Sequence, residues 1–115
     1  MLNNIADGVE HIYIACGVTD FRKQIDSLSA LVSLKFNLDP FSQKCLFIFC
    51  NKSKSSIKIL KWDNDGFILL TKKLVDKMKF QWPKDSEGVK NISVRELRWL
   101  LEGLSIKQPK AHKKD

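Results

Sequence analysis

Two aspartates stand one residue apart in the run Lys61-Trp62-Asp63-Asn64-Asp65-Gly66-Phe67. Such a pair serves a metal-dependent nuclease, a calcium loop or a tight turn. A calcium loop of the EF-hand type needs glycine at its sixth position and a bidentate glutamate at its twelfth. Counted from Asp63, the glycine falls at position 4 and position 12 is Leu74, so that reading fails. A two-metal nuclease needs carboxylates converging from separate elements. Asp20, Asp26, Asp39, Asp63 and Asp65 are available, yet no spacing among them requires convergence. Asp, Asn and Gly between two strand-like segments compose a hairpin turn, with Gly66 expected to supply the positive φ. The turn is the favoured reading, with Asp63 and Asp65 bonding backbone amides or neighbouring lysines.

Other catalytic patterns are missing from the sequence. His11 and His112 are far apart, neither has an obvious serine or cysteine partner, and no G-x-S-x-G occurs. Five scattered glycines make no phosphate loop. Cys16, Cys45 and Cys50 form no C-x-x-C pair, are odd in number and lie in or beside apolar runs. The expectation is a protein with no catalytic residue, no metal and no cofactor.

Charge is more informative. The net charge of +7 is divided unevenly: residues 1–50 carry a balance of −1 and residues 51–115 a balance of +8. The second half is either a lysine-rich solvated surface or a face that meets phosphate. Its candidates are Lys52, Lys54, Lys58 and Lys72, with Arg95, Arg98 and Trp99 on a helix near the C-terminus. Trp99 beside the two arginines either stacks on a base or anchors a partner, or is covered by the tail or a loop. In the first 34 residues the only basic side chains are Arg22 and Lys23. They fall at an expected helix N-terminus, where the helix dipole disfavours cations. Either Asp20 and Asp26 neutralise them locally, or they reach outward to an anion.

The elements that position these residues follow from hydrophobic periodicity. HIYIAC (11–16) reads as a buried strand. Thr19 or Asp20 is placed to cap a helix running to about residue 36, with Phe21, Ile25, Leu28, Val32 and Phe36 as its apolar stripe. CLFIFC (45–50) is apolar on both faces, as a central strand is. NKSKSS is a polar loop, and SIKILKW and GFILLTKKL are two strands joined by the Asp-Asn-Asp-Gly turn. KFQW (79–82) reads as a short strand ended by Pro83, and KDSEGVKN as a loop. Trp62 and Trp82 belong in or at the edge of the core. Ser93 and Glu96 form a capping box for a helix with Val94, Leu97, Leu100, Leu101 and Leu104 as its buried stripe, and Gly103 ends it. Residues 107–115, with four lysines, read as a disordered basic tail. The expected architecture is α+β: one domain, 1–106, with a mostly antiparallel sheet and two helices. No apolar run spans a membrane, and the N-terminus lacks a basic signal-peptide region. The expected location is cytoplasmic.

Several of these segments together resemble one family. Thr19-Asp20-Phe21-Arg22-Lys23 with Asp26 and Leu28 resembles a T-D-x-R-K-x-x-D-x-L opening. Asp39-Pro40-Phe41-Ser42 matches a D-P-F-S turn, and Phe49, Asn51 and Lys52 match F-x-N-[KR]. Lys58 to Leu74 follow K-x-L-x-W-D-x-x-G-F-x-L-x-x-K-x-L, Phe80 to Pro83 follow F-x-W-P, and Leu97 to Gly103 follow L-x-x-L-L-E-G. The series, from about residue 12 to 104, is similar to the accessory protein encoded by the second open reading frame of bacterial IS66-type insertion sequences. That family is not to be confused with the RNA-guided nuclease with which it shares the name TnpB. Lys73 departs from the pattern where arginine is common, and the 52–56 loop lacks arginines, so the planar bidentate fork is lost there.

The resemblance implies a non-catalytic role in transposition, beside a separate transposase that carries the catalytic acids. The partner it implies is that transposase; the second expected partner, DNA bound weakly and salt-dependently, follows from the +8 balance of residues 51–115. Asp20, Arg22, Lys23, Lys52, Lys54, Lys58, Lys72, Arg95, Arg98 and Trp99 are the candidate contact residues. The alternatives are a small metal-dependent nuclease using Asp20, Asp63 and Asp65, or a general nucleic-acid-binding module.

Overall fold

A computed structural model describes residues 5–83 and 88–104. Five strands and two helices follow one another along them: β1 (His11–Ala15), α1 (Ile25–Ala30), β2 (Cys45–Cys50), β3 (Ser56–Asp63), β4 (Gly66–Lys73), β5 (Val89–Ile92) and α2 (Val94–Leu101). The strands form one sheet in the order β4-β3-β2-β1-β5. Only the β1–β2 pair is parallel; α1 lies on the connection between them. The other three pairs are antiparallel. The α+β expectation holds, with a mostly antiparallel sheet and two helices.

The pleat sends alternate residues of each strand to opposite faces. On one face Ile12, Ile14, Leu46, Ile48, Ile57 and Ile59 pack against Leu97 and Leu100 of α2, with Phe80 and Trp82. On the other, Ala15, Phe47, Phe49 and Leu60 pack against Leu28 and Val32. All six residues of β2 are buried, which is why CLFIFC carries no polar position. Cys45 and Cys50 are buried and Cys16 half-buried, all as thiols; burial pushes the Cys50 thiol up to about 11.

Four segments depart from the sequence reading. The first helix begins at Ile25, not at residue 20, and has no side-chain cap. Its residues 31–35 continue as a π-helical turn, closed by Phe36 N–H on the Leu31 carbonyl. KFQW is not a strand: Phe80 N–H donates to the Lys54 carbonyl at 2.7 Å and Trp82 Nε1 to the Ala15 carbonyl at 2.9 Å. The fifth strand is instead Val89–Ile92, part of the expected loop, paired with β1. In α2 only Leu97 and Leu100 are buried, whereas Val94 and Leu104 are exposed. The capping box is formed as expected: Ser93 Oγ accepts from Glu96 N–H and Glu96 Oε1 from Ser93 N–H. Gly103, at φ 82°, closes the helix with the paired bonds of a Schellman motif, Gly103 N–H to Leu100 and Leu104 N–H to Trp99.

Among the described residues no helix is long and apolar enough to cross a membrane. The tail at 107–115 lies outside the described residues.

Candidate nucleic-acid interface

The parallel β1–β2 pair puts the exits of both strands at one end of the sheet, and antiparallel β3 and β4 bring their start and finish to the same end. Three loops meet there: 16–24 after β1, 51–55 between β2 and β3, and 74–83 after β4. They carry Arg22, Lys23, Lys52, Lys54, Lys77 and Lys79 against only Asp20 and Asp76. At the opposite end, the 36–44 connection and the β3–β4 turn carry Asp39, Asp63 and Asp65 against Lys44, which pairs with Glu10 at 3.4 Å.

Each basic loop is fixed from within. Thr19 N–H donates to the Cys50 carbonyl at 2.7 Å, binding the first loop to the end of β2. The Asp20 carboxylate accepts from Arg22 N–H at 2.9 Å and grips the guanidinium through Nε and Nη2, the shortest contact being 2.7 Å. Of the five guanidinium N–H groups, three remain to donate outward, and the Arg22 side chain is 91% exposed. The hydrogen bonds from Arg22, followed by its charge, hold the Asp20 carboxyl down to about 2. Arg22 therefore pairs with Asp20, not with Asp26 one helical turn on.

Lys58 explains why the helix starts late. It is buried at 6% exposure, and its Nζ donates to the carbonyls of Phe21 at 2.9 Å and Lys23 at 2.8 Å, over the Phe21 ring at 4.8 Å. Those carbonyls would otherwise accept the N–H groups of Ile25 and Ser27 in an α-helix. With both taken, the first helical bond is Leu28 N–H to the Gln24 carbonyl. Lys58 is thus turned inward, shaping the loop that carries Arg22 and Lys23.

Asn51 does the same for the second loop. Its Oδ1 accepts from Ser55 and Ser56 N–H at 3.0 and 3.1 Å, and its Nδ2 donates to Ser55 Oγ. Lys54 holds φ 61° in this turn. Asp20, Arg22 and Lys52 then line one open depression of about 1090 Å³, together with Thr19, Phe21 and Asn51. Lys23 lines an adjoining hollow, together with Asp20.

The remaining candidates lie on the α2 face. Lys72 Nζ donates to the Leu101 carbonyl at 2.7 Å, at the C-terminus of α2 where a cation is favoured. Lys72 and Arg98 line a cleft of about 610 Å³ with Leu97, Leu101 and Glu102. Arg95 is exposed and Trp99 half-buried. The sequence reading missed Lys77 and Lys79. Leu74 N–H to Ser55 and Phe80 N–H to Lys54 fold their segment back beside the 51–55 loop. No spacing in the sequence signals that return.

Asp63 and Asp65 belong to a tight turn. Asp63 pairs with Gly66 across the hairpin. The positive φ, 59°, belongs to Asn64 and not to Gly66. Asparagine tolerates this conformation and so fills the place expected of glycine. Asp63 and Asp65 are exposed, and among the described residues neither carboxylate accepts a hydrogen bond or ion pair, contrary to the amide or lysine contacts expected of them. Asp20 stands at the other end of the sheet, so Asp20, Asp63 and Asp65 do not converge. Among the described residues no group of three or more His, Cys, Asp or Glu side chains is placed to hold a metal ion.

Comparison with known proteins gives the family. Residues 10–111 match the family described as IS66 Orf2-like proteins, and the chain belongs to it. It is therefore an IS66-type accessory protein, associated with insertion-sequence transposition. It is 36% identical over 98 residues to the uncharacterized protein y4hO of Sinorhizobium fredii (strain NBRC 101917 / NGR234), covering 85% of this chain and 84% of that one. A second protein of the same strain, the uncharacterized protein y4jC, is 33% identical over 93 residues, covering 81% and 78%. No solved structure matches.

Proposed function

We propose that this chain is a non-catalytic accessory factor of transposition that holds the DNA backbone at its basic end and works with the separate transposase. The observation that carries this reading is the meeting of three basic loops, distant in sequence, on a frame tied by Lys58 and Asn51. Cations on a pre-set frame lose little conformational entropy when they bind phosphate. Arg22 supplies a planar donor fork, while Lys23, Lys52 and Lys54 supply point charges. Phosphate contacts of this kind position a protein on DNA without reading sequence. The α2 residues Arg95, Arg98 and Trp99 offer a second contact surface, for the transposase or for DNA.

The test is Arg22→Ala with Lys23→Ala in a transposition assay, beside a melting curve and a pull-down of the transposase with and without terminal DNA. Lost transposition at an unchanged melting temperature supports a contact role. Normal transposition refutes it. Magnesium- or manganese-dependent DNA cleavage by the pure protein, abolished by Asp20→Asn or Asp63→Asn, would establish the nuclease alternative instead.

A further inference from the structure

The depression between the first two basic loops is not lined by charge alone. Arg22 and Lys52 stand in it with two apolar side chains, Val18 and Phe21. Val18 is 54% exposed and Phe21 half-buried. A lone exposed valine is ordinary, but this one is held in place on both sides. Gly17 N–H donates to the Pro83 carbonyl at 2.9 Å, and Thr19 N–H to the Cys50 carbonyl at 2.7 Å. Phe21 is fixed by the Lys58 cation, 4.8 Å from its ring centroid. At about 1090 Å³ the depression matches the upper end of the range for small-ligand clefts, roughly 300–1,000 Å³.

The charged groups beside these side chains are free to meet a ligand. Asp20 is neutralised by its grip on Arg22 Nε and Nη2, which leaves guanidinium N–H groups to donate outward from a side chain 91% exposed. Lys52 makes no hydrogen bond or ion pair among the described residues. Phosphate alone makes no use of Val18 and Phe21. In a duplex the bases are stacked on one another, and a surface depression of this kind meets sugar and phosphate. The base of an unpaired nucleotide has a free apolar face. Cations along the backbone, with apolar rings and side chains beneath the bases, are the usual means of holding a single strand.

Resting on the reading of this end as DNA-binding, we infer that the depression takes an unpaired nucleotide, so that the protein prefers single-stranded DNA to duplex. The flanking phosphates lie against Arg22 and Lys52, and the base lies against Val18 and Phe21. Contact with phosphate alone gives the opposite order, because a single strand releases fewer counterions than a duplex for each phosphate neutralised. Preference for the single strand is therefore the signature of the base contact.

The experiment is fluorescence anisotropy on the full chain at about 50 mM salt. The labelled probes, equal in length, are a thymidine oligomer, the same oligomer made abasic, and a duplex. The thymidine strand is expected to bind at least about fivefold more tightly than either of the others, as contact with one base gives. Val18→Ser removes most of that advantage, and Arg22→Ala with Lys23→Ala weakens binding of every probe. If Val18→Ser lowers the melting temperature, the thymidine and abasic strands compared on the unaltered chain decide the matter. Equal binding of those two strands, or tighter binding of the duplex, overturns the inference and leaves the DNA reading standing. An advantage that Val18→Ser leaves whole at an unchanged melting temperature also overturns it, by placing the base elsewhere. Binding of no probe, or binding that the Arg22 and Lys23 variant leaves intact, overturns both.

Discussion

Replacing Lys58 by methionine keeps the apolar stem and removes the donor. Two half-buried carbonyls, those of Phe21 and Lys23, then lose their partner, along with the contact over the Phe21 ring. A hydrogen bond from a charged group contributes about 1.5–3 kcal/mol, and a cation over a ring about 1 kcal/mol. Relief of the desolvation of a buried cation offsets part of that sum. The net cost is about 3 kcal/mol. With an unfolding entropy of about 0.2 kcal/mol/K for roughly 100 ordered residues, the melting temperature drops by about 14 °C. Denaturant unfolding of the two proteins measures the difference, and amide hydrogen exchange tests its cause. The freed carbonyls become available to the N–H groups of Ile25 and Ser27, so those amides gain protection if the first helix extends backward. A change in stability below about 0.5 kcal/mol, the range of an ordinary surface substitution, would refute the role given to Lys58.

Three further outcomes are expected. Arg22→Ala with Lys23→Ala leaves the melting temperature unchanged, because the Arg22 side chain is exposed, while DNA affinity falls; fluorescence anisotropy and a melting curve check the pair of results. Asp20 titrates at about 2 by carboxyl NMR, and Arg22→Ala moves its midpoint up towards the ordinary 3.8. Because the folded value is depressed, any stability from this pair is present above pH 3.8 and is lost as pH falls through about 2. Ser93→Ala opens the capping box of α2 and costs about 1 kcal/mol in chemical unfolding.

Much of the fold was legible where burial is two-sided or local geometry is closed. CLFIFC declared a central strand because a strand covered on both faces has no polar alternation. The Ser93–Glu96 box and Gly103 marked both ends of α2, because their bonds lie within a few residues. Long-range bonds defeated the reading elsewhere. The start of α1 is set by Lys58, 37 residues beyond Phe21, and helical periodicity says nothing of it. Phe80 and Trp82 look like strand residues because they are apolar, yet their backbone and indole bonds go to Lys54 and Ala15. VKNI is a strand by pairing alone, since two of its four residues are polar. Composition had located an excess of positive charge, but in half the chain, not at one end of a sheet. The parallel β1–β2 pair, which brings Arg22 and Lys23 to the lysines of 51–55, is a tertiary fact.

The direct test of the account is the salt dependence of DNA binding at that end. If Arg22, Lys23, Lys52 and Lys54 each neutralise a phosphate, log affinity falls against log salt with a slope of about −3.6, or about 100-fold between roughly 50 and 200 mM. Lys52→Ala with Lys54→Ala halves the slope to about −1.8 by the same relation. Anisotropy of a labelled duplex titrated with each protein measures both slopes. A slope near zero, or one the two substitutions leave intact, would contradict the claim that these loops hold the DNA backbone.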